Sequence, residues 1–134
     1  MTDKTITWTG RALSGLFALF LLAASIAPKL LGADVATRSL AELGWDPGRT
    51  FAIGLLELAC LVLYLVPRTA VLGAVLTTGL LGGAMATQLR VGTPLFSHGL
   101  FGLYLGLVAW GGLWLRDPAL RALLPVRAAP RPRP

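Results

Sequence analysis

The chain has 134 residues and a net charge of +6. It is 55% hydrophobic and only 13% charged, with a mean hydropathy of +0.73. Soluble domains carry about 25% charged residues, so a water-soluble globule is excluded and an integral membrane protein is implied. The positive charges lie between long apolar runs and form no patch with interleaved aromatics, so nucleic acid is not the expected partner.

Four apolar segments are predicted as transmembrane helices, which makes the fold class an all-α, four-helix transmembrane bundle. A bilayer core of about 30 Å takes about 20 helical residues. The first segment runs from about Ala12 to Leu31. A signal-peptide reading of residues 1–27 is weaker, because the apolar run resumes after Pro28 in KLLG. Next comes ADVATRSLAELGW, predicted as a short interfacial helix that ends at Gly44, with Trp45 at headgroup level.

The second span covers about Thr50 to Val66 and the third about Thr69 to Leu89, joined by the tight hairpin VPRT. After RVGTP, with Gly92 and Pro94 as breakers, the fourth span covers about Phe96 to Leu115. RDPALRALLP then offers Asp117 as N-cap and Pro118 as first helical residue of a second interfacial helix. Residues 1–125 form the membrane domain. Residues 126–134 are a Pro- and Arg-rich tail, expected to be disordered and able to touch anionic lipid.

The distribution of Lys and Arg sets an expected orientation. Eight lie on the side of the termini and four on the other. By the positive-inside rule both termini face the cytoplasm of a bacterial inner membrane.

The chemistry concentrates at Glu57. In the sixteen-residue stretch FAIGLLELACLVLYLV it is the one residue that is neither apolar nor glycine. A charge at the bilayer centre costs at least about 3 kcal/mol, so this carboxyl is either neutral or partnered. It lies ten residues from Pro67, about 15 Å along the helix and near the midplane. Leu80 falls at the same level, flanked by Gly79, Gly82 and Gly83. Gly79 and Gly83, like Gly102 and Gly106 of the fourth span, are spaced for close helix packing. Cys60 and Tyr64 share the helix face of Glu57. Tyr104, Thr77 and Thr78 are the side chains expected to reach the acid. Lys29, Gln88, Arg90 and His98 gather toward the opposite end from the hairpin. One cysteine and one histidine rule out an intramolecular disulfide, CxxC redox chemistry and a cysteine- or histidine-rich metal site. No nucleophile–base pair or phosphate loop is present.

The features GLLEL, VPRTAVLGA, GGAMATQLR and LWLRDPALRALLP, within residues 53 to 125, closely resemble the DoxX-like family of small bacterial membrane proteins. The first helix, with its APKLLG end, is similar more loosely. The resemblance implies a four-helix membrane domain. It also implies a link to quinone-reducing or other membrane oxidoreductase complexes, and a polar centre of Lys29, Glu57 and Arg90. The expected function is therefore an accessory subunit of a quinone-linked redox system, with quinone as candidate ligand and a membrane or peripheral redox partner. The alternatives are a non-catalytic scaffold or assembly factor, and a small proton-coupled exporter. A homo-oligomer stays open.

Overall fold

The computed structural model describes residues 2–127, 129, 130 and 132. It is helical, with no strand among the described residues. Four helices are long and apolar enough to cross a membrane: α1 (Asp3–Leu30), α3 (whose span is Pro47–Leu65), α4 (Ala70–Val91) and α5 (whose span is Leu95–Arg116). Two short helices, α2 (Asp34–Glu42) and α6 (Pro118–Leu123), complete the chain. The apolar segments Thr50–Val66, Thr69–Leu89 and Phe96–Leu115 match their helices closely. The first helix begins well before Ala12, because Thr2 caps it by accepting a hydrogen bond from the Thr5 amide.

The four long helices run up and down in a closed ring. Helix α1 packs on both α5 and α3, α3 on α4, and α4 on α5. Their buried seam includes Phe17, Leu21, Ile26, Leu61, Tyr64, Ala74, Ala109 and Leu113. Only 22–28% of each apolar window is buried inside the chain. The remaining apolar surface, including Leu16, Leu19, Phe51, Leu56, Val75 and Leu107, needs an apolar solvent. The chain is a multi-pass membrane protein, and its bilayer supplies that solvent.

The α3–α4 hairpin is as tight as its sequence suggests. Val66, before Pro67, is extended, as the proline ring requires. The Thr69 hydroxyl donates to the Leu63 carbonyl at 2.8 Å, which satisfies one of the carbonyls left open at a helix end. Tyr64 and Gly73, equidistant from the turn, face each other so closely that a Cβ on Gly73 would strike the Tyr64 backbone. The remaining turns follow the expected chemistry. Gly44 and Gly92 take positive φ values of 87° and 80° as helix-ending residues. The Asp117 carboxylate accepts from the Ala119 and Leu120 amides at the start of α6.

Helix α1 is not uniform. Leu22–Ile26 is a π-helical turn, closed by the Ala27 amide donating to the Leu22 carbonyl. Pro28 follows directly. It cannot donate to the carbonyl four residues back, and its ring crowds that carbonyl. A widened turn accommodates both effects.

The arrangement of α2 agrees with a surface helix. None of its residues is buried, and it is tied to the bundle by Arg90, whose Nη2 donates to the Leu43 carbonyl at 3.0 Å. In α6, Leu120 is buried and Leu123 exposed, so this helix puts one leucine into the core and one outside. The tail expected over residues 126–134 falls partly on Ala128, Arg131, Arg133 and Pro134, which lie outside the described residues.

Candidate functional site

Two polar clusters interrupt the apolar seam. The first lies between α1 and α3. Lys29 Nζ is 2.9 Å from Glu57 Oε1 and donates to Ser25 Oγ at 2.6 Å. Ser25 Oγ in turn donates to Glu57 Oε2 at 2.9 Å. Both carboxylate oxygens are therefore engaged, one by an ammonium and one by a hydroxyl. The Lys29 and Glu57 side chains are 13% and 11% exposed, so the pair is nearly withdrawn but keeps an opening. This is the one salt bridge among the described residues.

The local sequence explains the geometry. Ser25 and Lys29 are four residues apart and share a helix face. Ser25 lies within the π turn Leu22–Ile26, one turn before Lys29. Gly54 on α3 leaves room for the Lys29 stem, since a Cβ there would come 2.9 Å from Lys29 Cβ. Instead of reaching outward to water, as helix-end lysines usually do, Lys29 folds inward to the acid. Breaking such a pair by removing one partner costs about 3–5 kcal/mol, because the survivor is a nearly buried charge without a counterion.

An ammonium has three N–H donors. Two are taken by Ser25 and Glu57, which leaves one without a protein acceptor. The shallow grooves along the chain lie elsewhere: one is lined by Lys4, Thr5, Trp8, Thr9 and Ala12, another by Leu107, Trp110, Gly111, Trp114, Leu124 and Pro125.

The second cluster lies nearer the hairpin end. The fully buried Tyr64 donates through its hydroxyl to the Ala109 carbonyl at 2.6 Å and shares a 2.8 Å bond with Ser14 Oγ. Phe17 meets the Tyr64 ring edge-on, with centroids 5.2 Å apart. The Arg116 guanidinium lies 5.6 Å from the Tyr64 ring centroid. Gly10 and Gly112 make this crossing of α1 and α5 possible: a Cβ on Gly10 would come 2.7 Å from the Gly112 carbonyl oxygen.

The residues named from sequence separate clearly. Lys29 and Glu57 come together. Arg90 does not join them and instead holds α2 through Leu43. Tyr104 donates to the Phe96 carbonyl rather than reaching Glu57. Thr78 donates to the Ala74 carbonyl and accepts from Trp110 Nε1. Thr77 is buried with its hydroxyl unpartnered. The Gln88 side-chain oxygen is also buried without a partner, and exposed His98 bonds to the neighbouring Ser97.

The glycines divide as well. Gly102 packs tightly on α4, where a Cβ would lie 2.8 Å from Met85 Cγ, and Gly106 has room to spare, with Leu81 Cδ1 at 3.9 Å. Gly79, Gly82 and Gly83 do not line an interior around Glu57. A Cβ on any of them meets nothing within 4 Å, because this stripe of α4 points away from the other helices. Gly79 and Gly83, expected from their spacing to pack against another helix, pack on none among the described residues. Sequence reasoning missed Ser25, Ser14 and Arg116. The i, i+4 spacing of Ser25 to Lys29 was the available signal for the first.

The family model of the DoxX-like family matches residues 12–112, a stretch that includes Ser25, Lys29, Glu57, Tyr64 and Arg90. The chain belongs to the DoxX-like family. No curated protein and no solved structure matches it. The match ends before Arg116 and α6, so the ion-pair site, Ser14 and Tyr64 lie within the family core of this DoxX-like protein while Arg116 itself lies outside it.

Proposed function

We propose that this DoxX-like protein is an accessory subunit of a quinone-linked redox system in the bacterial inner membrane. In this reading Lys29, Ser25 and Glu57 hold a quinone headgroup. The observation that carries the proposal is the Lys29–Glu57 pair itself. It joins an acid and a base at 2.9 Å within a membrane helix bundle, with one lysine N–H unused. Ionisable groups inside membrane spans are functional by default.

A quinone carries two electrons and two protons between its oxidised and reduced forms. The free Lys29 N–H orients a headgroup carbonyl at the opening between α1 and α3. Glu57 accepts a proton released there or returns one, and Ser25 holds the second carboxylate oxygen so that the acid stays aimed at Lys29. With a single cysteine and a single histidine in the sequence, electrons are assigned to a partner protein. Photolabelling with an azido-quinone in membranes tests the assignment. Adducts on α1 near Lys29 and on α3 near Glu57, competed by unlabelled quinone and lost in Lys29→Gln, are expected. Labelling spread evenly over the lipid-facing surface contradicts it.

A second reading has its own support. The outward stripe of Gly79, Gly82 and Gly83 is suited to close approach by a helix of another protein, as a scaffold or assembly factor requires. Under that reading Gly79→Ile disrupts a stoichiometric complex in native pull-downs while leaving the fold intact. An unchanged complex removes it.

A further inference from the structure

The Arg116 corner carries a site that the ion pair does not explain. Arg116 ends α5, at the bundle end that holds the α3–α4 hairpin and the start of α1. Its guanidinium lies over the ring of Tyr64, a residue with no exposure of its own. Its Nε is buried and has no hydrogen-bond partner. Among the described residues no carboxylate lies within salt-bridge distance of it. The nearest acid in sequence, Asp117, is committed to capping α6 through the Ala119 and Leu120 amides.

A buried cationic donor without an acceptor is costly, and the Tyr64 ring supplies only a partial counterweight. Arginine presents several N–H donors in a planar fork that matches phosphate oxygens. The surroundings suit a phosphate at headgroup depth. Trp8 and Trp114 lie at the same end, where tryptophan marks the membrane interface. The Arg11 guanidinium stacks over Trp8 at 5.1 Å. Arg121, on α6, is occupied by the Leu115 carbonyl. Arg116, half-buried overall, is thus the cation of this corner whose guanidinium has no protein acceptor among the described residues.

We infer that Arg116 forms a phosphate-oxyanion site at the hairpin end of the bundle, and that its occupant is the headgroup of an anionic phospholipid. The proposal is independent of quinone binding at Lys29 and Glu57. Tyr64 and Ser14 position the site by fixing the surface on which the guanidinium rests.

Native mass spectrometry of the full chain in detergent tests it, with phosphatidylglycerol as probe and diacylglycerol as the phosphate-free comparison. Wild type is expected to retain one phosphatidylglycerol and no diacylglycerol. Arg116→Gln should weaken retention about tenfold or more, the worth of one charge-assisted hydrogen bond. Arg68→Gln, which removes a charge at the hairpin, should change it by less than about twofold. Arg116→Lys keeps the charge but loses the planar guanidinium fork, and is expected to fall between. That variant keeps the test readable if the glutamine variant does not fold. Inorganic phosphate that raises the melting temperature of wild type but not of Arg116→Lys, with no preferential phosphatidylglycerol retention, supports the oxyanion site and assigns it to free phosphate. Equal losses from Arg116→Gln and Arg68→Gln, or retention of neither lipid with no phosphate effect, overturn it.

Discussion

Gly54 lies directly beneath Lys29: a Cβ added to the glycine would come 2.9 Å from the lysine Cβ and 3.1 Å from Leu30 Cδ2. The close crossing of α1 and α3 at this point lets a helix-end lysine reach an acid one turn along α3. Gly54→Ala is expected to push the helices apart, at about 1–3 kcal/mol for overpacking, and to weaken the Lys29–Glu57 pair. Thermal unfolding in detergent measures the first effect, and a double-mutant cycle on Lys29 and Glu57 in the Gly54→Ala background measures the second.

The ion pair itself gives a prediction with a sign. Glu57→Leu and Lys29→Met each strand one nearly buried group and should each destabilise by about 3 kcal/mol, whereas the double variant Lys29→Met/Glu57→Leu should recover most of that loss. Ser25→Ala removes one hydrogen bond to a charged group and should cost about 1.5–3 kcal/mol. Reversible unfolding in mixed micelles distinguishes these values. Additive single-variant losses would mean that the two residues do not act as a pair.

Two glycines of α4 should respond oppositely. Gly73→Ala drives a methyl group into the Tyr64 backbone and should disrupt the hairpin packing. Gly79→Ala enters open space and should stabilise slightly, by up to about 1 kcal/mol from helix propensity. Melting temperatures of the two variants, measured side by side, check the contrast.

Arg90 should act on α2 rather than on Glu57. Arg90→Ala removes the bond to the Leu43 carbonyl and is expected to speed hydrogen exchange across residues 34–46 without changing exchange in α3. Faster exchange around Glu57 in this variant would place Arg90 in the polar centre after all.

Much of this architecture was legible in the sequence, for physical reasons that can be named. The length of each apolar run set the spans, Pro67 and Gly92 marked the turns, and Asp117–Pro118 marked the start of α6. The facing of helices was not legible. A near-uniformly apolar helix has no polar side to orient it, so Gly79 and Gly83 could be placed at the level of Glu57 but not on a face. Lys29 was readable as a helix-end lysine. Its inward turn uses the gap at Gly54, which is not visible as an apolar period. Tyr64 was placed on the face of Glu57, yet its link to Ser14 and Arg116 joins residues 50 or more positions apart, where local pattern is silent.

The most direct test of the central claim is lipid mass spectrometry on the protein extracted in mild detergent. Wild type, Lys29→Gln, Glu57→Gln and, as an outward-facing control, Gly79→Ala are compared. Quinone is expected in wild type and Gly79→Ala, depleted in both ion-pair variants even where they remain folded. Ordinary phospholipid alone in all four proteins, or quinone retained equally by all, would contradict a quinone site at Lys29 and Glu57.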